Sequence, residues 1–142
     1  MAIKVVYWTG TGNTQVMADS VVAGVKKGGA DAEAVFVDNI TADALAAEDK
    51  FALGCPAMGA EVLEEASMEP FVTALEGKVS GKKIALFGSY DWGDGQWMRD
   101  WVSRMQSAGA TIVNGEGLIA NNAPTDDDKA ACEALGEALA KA

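Results

Sequence analysis

The hydrophobic pattern of the chain alternates between two periods. Short apolar runs, such as IKVVYW (3–8) and KKIALFGSY (82–90), predict strands that are buried on both faces. Between such runs the apolar residues recur at i, i+3, i+4 and i+7, which predicts amphipathic helices. The first of these, NTQVMADSVVAGVKK, ends in two lysines and is followed by two glycines, as helix ends favour.

The whole chain therefore reads as five strands that alternate with helices. The other predicted strands are AEAVFVD, DKFALG and a fifth made of ATIV with EGLIA, and the other predicted helices are TADALA, EPFVTALEGKV, DGQWMRDWVSRMQSAG and TDDDKAACEALGEALAKA. This alternation predicts an α/β fold, a parallel sheet between two layers of helices. Because no linker, repeat or low-complexity segment interrupts the pattern, we expect residues 1–142 to form one domain. Ligands of such folds bind beyond the carboxyl ends of the strands, where the strand order reverses.

Composition and charge narrow the classes of function. The formal net charge of −10 argues against a nucleic-acid partner, and the absence of histidine removes the commonest general acid–base group. No apolar run is long enough to span a membrane and no basic-then-apolar leader is present, so we expect a cytoplasmic protein. Cys55 and Cys132 lack the spacing of a metal or redox motif and are expected to be buried or helix-face residues.

The loop after the first strand is dense in neutral hydrogen-bond donors. Its residues are Thr9, Gly10, Thr11, Gly12, Asn13 and Thr14. The glycines let backbone N–H groups converge at a helix N-terminus, and the hydroxyl and amide side chains add donors, which predicts an anion cradle. A plain turn with a threonine or asparagine N-cap is the alternative. The loop lacks the lysine of a Walker A motif, and Gln15 stands where a dinucleotide fingerprint needs glycine or alanine.

Two further loops leave the same edge, because parallel strands end together. The second loop consists of Cys55, Pro56, Ala57, Met58, Gly59, Ala60 and Glu61. Its Met58-Gly59 pair fits a turn that needs positive φ, with a carbonyl that can reverse at low cost, although a surface turn with a core methionine remains open. In the third loop, Ser89 to Trp97, Trp92 has no obvious packing partner unless a planar ligand lies beside it. Trp97 instead fits the core face of a helix.

The segments YWTGTGNT, GCPAMGAEVLEE and FGSYDWGDGQWMRDW resemble the three FMN-binding segments of short-chain flavodoxins, of the clostridial and anaerobic-rumen kind. The resemblance covers essentially the whole chain, and the insertion that interrupts the fifth strand of long-chain members is absent. It implies a flavodoxin-like three-layer sandwich with a five-stranded parallel sheet in the order 2-1-3-4-5. It also implies tightly bound FMN.

The resemblance implies a role for each loop. The first loop would hold the FMN phosphate, Met58 and Trp92 would cover the inner and outer faces of the isoalloxazine, and Glu61 would reach N3–H. The Met58-Gly59 carbonyl would turn toward N5–H on reduction. The amides of Asp91 and Gly93 would lie near N1 and O2, and Ser89 near the phosphate or ribityl chain. The full implied cofactor-binding set is Thr9, Gly10, Thr11, Gly12, Asn13, Thr14, Pro56, Ala57, Met58, Gly59, Ala60, Glu61, Ser89, Tyr90, Asp91, Trp92 and Gly93.

The implied function is a low-potential one-electron carrier that replaces ferredoxin, without catalytic residues or a metal. It would cycle mainly between the neutral semiquinone and the anionic hydroquinone. The edge with the three loops carries five carboxylates, those of Glu61, Glu64, Glu65, Asp91 and Asp94, whereas most lysines precede strands or end helices at the opposite edge. This distribution predicts a low second potential and basic-surfaced partners, such as ferredoxin-dependent oxidoreductases, hydrogenase or a ferredoxin–NADP reductase. We expect a monomer that binds no membrane.

Two other functions remain open at this point. An FMN-dependent quinone or nitro reductase would need an open pocket, which a tryptophan over the flavin argues against. A flavin-free, receiver-like module would need an acidic cluster after the first strand, where Trp8-Thr9-Gly10 offers none. Two positions depart from the family pattern: Asp91 stands where relatives commonly have glycine, and Pro56 has no N–H or hydroxyl to offer a phosphate.

Overall fold

Six parallel strands form the central layer of the protein in a computed structural model, which describes residues 2–142. The predicted domain also includes Met1, which lies outside the described residues. The strands are β1 (Ile3–Tyr7), β2 (Ala32–Phe36), β3 (Lys50–Gly54), β4 (Lys83–Tyr90), β5 (Thr111–Ile112) and β6 (Leu118–Asn121). Their order is β2-β1-β3-β4-β5, and β6 also pairs with β4. The predicted fold class and strand order are confirmed.

The predicted fifth strand is divided into two short strands. The pair Lys83-Ile84 of β4 aligns with β5, and residues 87–90 of β4 align with β6. Between β5 and β6 the chain leaves the extended conformation, because Asn114 has φ 65° and Gly115 has φ 78°. Left-handed backbone cannot belong to a strand. The prediction placed both pieces beside the fourth strand but missed the break.

Helices cover both faces of the sheet. They are α1 (Asn13–Lys27), α2 (Ala42–Ala46), α3 (Met68–Leu75), α4 (Gln96–Ser107) and α5 (Asp126–Lys141). One apolar cluster joins α1 and α5 to side chains such as Val5, and the other joins α2, α3 and α4 to side chains such as Val6. Neighbouring residues of a strand thus enter opposite cores, which explains the continuous apolar runs. None of the helices in residues 2–142 has both the length and the apolar character needed to cross a bilayer.

The sheet extends beyond the strand ends at its carboxyl edge. Backbone N–H groups of Trp8, Cys55 and Ala57 donate to carbonyls of Gly54, Phe87 and Ser89, at 3.0, 3.1 and 3.0 Å. These bonds tie the start of each loop to the neighbouring strand. Since the chain leaves β1 in one direction toward β2 and returns to β3 on the other side, the strand order reverses between the first two loops.

Candidate functional site

The first loop, residues 9–14, presents backbone donors that have no acceptor within the described chain. The Thr9 hydroxyl accepts the Gly12 N–H at 3.0 Å, which closes the loop, and Gly12 has φ 96° at the start of α1. Beyond this bond, the N–H groups that donate to no acceptor in residues 2–142 are those of Thr9, Gly10, Thr11, Asn13, Thr14 and Gln15. Converging donors at a helix N-terminus are the arrangement that binds a phosphate. The donor set therefore fits an anionic group.

Two buried hydroxyl groups join the first loop to the third. The Thr14 and Ser89 oxygens are 2.9 Å apart, and both residues are almost fully buried. One hydrogen bond between two hydroxyls uses one of the two protons, so the other proton remains to be donated. The pair thus fixes the distance between the loops and retains a donor for a ligand.

An opening of about 130 Å³ lies between the three loops. It is lined by Trp8, Gly10, Thr11, Asn13, Pro56, Ala57, Met58, Ser89, Tyr90 and Asp91. Residues predicted from all three loops therefore meet at one place. Met58, Gly59 and Ala60 also line an adjoining recess on the outer side of the second loop.

The second loop is closed by a pair of backbone hydrogen bonds. Met58 N–H donates to the Val62 carbonyl at 2.8 Å, and Val62 N–H donates to the Met58 carbonyl at 3.0 Å. Gly59 has φ 51°, as the turn prediction requires, and Glu61 has φ 56°. The expected reversal of the Met58-Gly59 carbonyl must therefore break its bond to Val62. The cost of this movement, which the sequence predicts to be low, therefore includes the loss of one hydrogen bond, about 1 kcal/mol net.

Glu61 extends from the second loop to the start of α4. Its Oε1 accepts the N–H groups of Gly95 and Gln96 at 3.2 and 3.1 Å. The other carboxylate oxygen, Oε2, accepts no hydrogen bond from residues 2–142. The predicted contact of Glu61 with a flavin can thus use Oε2 while Oε1 stays bound to α4.

The third loop exposes an aromatic ring directly after Asp91, which lines the opening. Trp92 is 64% exposed, which agrees with the expectation that no protein group covers it. Asp91 does not have positive φ, whereas Gly93 and Gly95 do, so aspartate is accommodated at that position without left-handed strain. Arg99 holds the loop end, since its guanidinium binds the Asp94 carbonyl and carboxylate, each at 2.9 Å.

Buried polar groups anchor the far end of the second loop. The Glu64 carboxylate is 7% exposed and accepts three backbone N–H groups, from Ala66, Ser67 and Met68, at 2.8 to 2.9 Å. Burial raises the pKa of the Cys55 thiol to about 12, so this thiol stays protonated and adds no charge beneath the loops. Both cysteines are buried, as predicted.

Several residues at this edge were not predicted as part of the site. Trp8 lines the opening, and its ring lies 3.1 Å from where a Cβ on Gly10 would be. Asn121 and Asn122 bind the Tyr90 carbonyl from the end of β6, at 3.2 and 2.7 Å. Polar residues directly after a parallel strand were the signal for these asparagines. Nothing in the sequence indicated the bond between Glu61 and α4.

Comparisons with known proteins agree with this geometry. Residues 5–135 match the family model described as flavodoxin. The chain is 48% identical over 140 residues to a flavodoxin from Megasphaera elsdenii, and the match covers 99% of each chain. It is 46% identical over 138 residues to a flavodoxin from Clostridium beijerinckii, and that match covers 97% of this chain and 99% of the relative. A solution structure of the two-electron reduced M. elsdenii flavodoxin superposes with a TM-score of 0.89 at 47% identity, covering 99% of both chains.

Proposed function

The chain belongs to the flavodoxin family, and on this premise we propose that it is an electron carrier whose cofactor is FMN. Flavodoxins transfer electrons and are not enzymes, so the reductase alternative finds no support in the relatives. We take residues 1–142 as one FMN-binding domain, with no catalytic residue and no metal. The cytoplasmic location and the monomeric state remain predictions from the sequence.

The observation that carries the proposal is the set of unpartnered N–H groups in the first loop. No lysine, arginine or histidine lies in residues 5–25, so a phosphate there would be held by neutral donors alone. Several N–H groups that donate to a phosphate form charge-assisted bonds, which are stronger than bonds between neutral groups. Such a cradle binds an anion firmly without placing a positive charge beside the redox centre.

The ring of the cofactor would lie between Met58 and Trp92. The exposed indole supports this assignment, because an aromatic side chain of that size rarely stays uncovered unless it stacks on a ligand or a partner. Oε2 of Glu61 supplies an acceptor for an imide N–H, and Asp91 and Gly93 bring backbone N–H groups to the same rim. All seventeen residues predicted from the three loops remain the proposed binding set.

The carrier would work mainly between the one-electron and two-electron reduced states. Residues 55–77 and 84–98 contain no lysine or arginine, while Glu65 and Asp91 are exposed there and form no salt bridge with residues 2–142. Adding the second negative charge among carboxylates is unfavourable, so the second potential should be low. A neutral semiquinone would then be the stable intermediate state.

The partners would be redox proteins with basic surfaces that also use ferredoxin. Two exposed apolar side chains, Trp92 in the third loop and Val62 directly after the second, occur near the exposed carboxylates of Asp91 and Glu65 in the sequence. Apolar and acidic side chains together suit transient docking onto a basic surface, and the charges would steer the encounter. Ferredoxin-dependent oxidoreductases, hydrogenase and ferredoxin–NADP reductase types are the proposed classes.

An anaerobic reductive titration of the purified protein tests the proposal. We expect a yellow protein that becomes blue after one electron and bleaches after the second. Bleaching in a single two-electron step, together with rapid quinone turnover by NAD(P)H, would instead indicate a reductase. A colourless protein that takes up no added FMN would overturn the cofactor assignment itself.

The contribution of the phosphate can be measured separately with riboflavin, which lacks it. If the first loop holds the phosphate, FMN should bind at least about a hundredfold more tightly, since two charge-assisted hydrogen bonds contribute roughly 3 kcal/mol or more. Equal affinities would place the phosphate outside the first loop.

A further inference from the structure

We propose that Glu61 is a positioning residue that couples the second loop to the third, so that the turn at Met58-Gly59 and the loop of Trp92 move as one unit. Only the consequence for the ring rests on the proposed function. The coupling itself depends on contacts within the chain.

The start of α4 depends on the second loop for its cap. Gly95 precedes the helix with φ 91°, no side chain of the helix or its N-cap accepts a capping hydrogen bond, and the first turn contains no acidic residue. By contrast, α2 and α5 are capped by the threonines that precede them, Thr41 and Thr125. Glu61 supplies α4 with both the acceptor and the negative charge that a helix N-terminus favours.

The backbone of the third loop lies directly against the Glu61 carboxylate. A Cβ added to Gly93 would be 2.6 Å from Cδ and from Oε1 of Glu61. Gly93 follows Trp92 in the chain, so any displacement of the carboxylate reaches the residue beside the exposed ring. Only glycine allows this close approach, and its φ of 86° is also one that glycine adopts at little cost.

Within its own loop, Glu61 is fixed to Met58 through the next residue in the chain, Val62. Val62 forms both backbone hydrogen bonds with Met58, and Glu61 itself has φ 56°. A left-handed conformation at a residue other than glycine persists only where surrounding contacts hold it, and such residues cluster at functional sites. The hydrogen bonds to α4 are the contacts that hold Glu61. A continuous path thus leads from Met58 through Val62 and Glu61 to Gly93 and Gln96.

Amide hydrogen exchange, followed by NMR on the full chain saturated with FMN and again after FMN removal, tests the coupling. The reporters are the N–H groups of Met58 in the second loop, of Val62 directly after it, and of Gly95 and Gln96 at the start of α4. In Glu61→Ala, we expect exchange at all four to become at least about tenfold faster, because both charge-assisted hydrogen bonds are lost. In Glu61→Gln, an amide oxygen can replace Oε1, so exchange should stay within about threefold of the wild type.

Glu65→Ala is the matched control. Glu65 lies in the same acidic segment but is exposed and forms no hydrogen bond with residues 2–142, so its removal should leave the four rates unchanged. If Glu61→Ala accelerates only Gly95 and Gln96, the carboxylate merely caps α4 and the coupling is wrong. Unchanged rates at all four amides would show that the contact constrains neither loop.

A substitution in the opposite loop provides the reciprocal test. Gly93→Ala forces its new Cβ against the Glu61 carboxylate and should accelerate exchange at Met58 and Val62 by several-fold. Gly115→Ala is its control, since Gly115 also has positive φ but open space at the Cβ position. Equal rates at Met58 in the two glycine variants would contradict the coupling. If the wild-type chain bound no FMN, the proposed function would be refuted. The coupling would still be tested, because the exchange rates of the same four amides can be measured in the FMN-free chain.

Discussion

The two edges of the sheet treat their polar groups differently. At the amino edge, the Lys50 ammonium donates to the Ala140 and Ala142 carbonyls at 2.8 and 3.3 Å, and the Lys82 ammonium donates to the Glu48 carbonyl at 2.9 Å. At the carboxyl edge, the N–H groups of the first loop other than that of Gly12 have no acceptor in residues 2–142, and Trp92 is exposed. Both edges are made of strand ends and short loops. What differs is whether the chain satisfies its own polar groups, and unsatisfied donors that converge mark the place for a ligand.

The largest effect on this difference between the edges is expected from a negative charge placed in the first loop. Thr11→Asp should weaken FMN binding by about a thousandfold, because two charges about 4 Å apart at an effective dielectric constant near 20 repel by about 4 kcal/mol. Thr111→Asp, the same substitution at an exposed position of the amino edge, should leave the affinity within about twofold. Fluorescence titration of the FMN-free protein measures both.

The matched pair also separates local from global effects. Both variants change the net charge from −10 to −11, so a general electrostatic effect would weaken both equally. A Thr11→Asp protein with wild-type affinity would mean that the first loop does not face the phosphate. Restored binding of that variant at high salt would indicate repulsion rather than a distorted loop.

The sequence predicted the fold well because its signals were local. Alternation of apolar runs with helical periods set the strand–helix order, and the glycines and lysines at 26–29 indicated where α1 ends. The division of the fifth strand was missed although a local signal was present, because Asn114 is followed by Gly115 and the Asn-Gly pair favours a turn with positive φ. The prediction joined the apolar runs on either side of this pair into one strand.

The candidate site was predicted less evenly. Loops at one edge could be grouped because parallel strands fix their direction, and the opening they line contains predicted residues from all three. Contacts between loops could not be predicted, since they depend on distances across the sheet. The bonds of Glu61 to α4 are of this kind, whereas the bonds between Met58 and Val62 close one loop locally. The Met58 bond also alters the expected ease with which the Met58-Gly59 carbonyl turns.

A smaller effect is expected from two buried tryptophans that differ in one hydrogen bond. Trp97 donates its indole N–H to the Cys55 carbonyl at 3.2 Å, at the start of the second loop, whereas the Trp101 indole N–H has no partner in residues 2–142. Replacing either with phenylalanine removes the same atoms. Trp97→Phe should therefore lower the free energy of unfolding by about 1–3 kcal/mol more than Trp101→Phe, because it leaves a buried carbonyl unpaired. Urea unfolding of both variants measures the difference.

An equal loss of unfolding free energy in Trp97→Phe and Trp101→Phe would mean that the Trp101 indole N–H also has a hydrogen-bond partner. Trp101 lines a cavity of about 120 Å³ that Glu61 and Glu69 also line. A water molecule there could accept the indole N–H, and Trp101→Phe would then also break a hydrogen bond. The comparison between satisfied and unsatisfied groups would in that case hold only for the loops.

The smallest expected effect comes from two glycines at opposite edges that share the same backbone constraint. Gly59 has φ 51° and Gly81 has φ 79°, and both have open space where a Cβ would lie. Alanine should therefore cost about 1 kcal/mol of unfolding free energy at either position. Only Gly59→Ala should also lower the first reduction potential, because it restricts the turn that we propose rearranges when the flavin takes up an electron. A loss of about 1 kcal/mol in the semiquinone corresponds to about 45 mV, since about 59 mV is a tenfold change for one electron. Redox titration of the two variants measures the first potential of each. An equal first potential in both would mean that the turn at Gly59 does not respond to the redox state. A shift in Gly59→Ala alone would link the backbone of one edge to the chemistry of the cofactor.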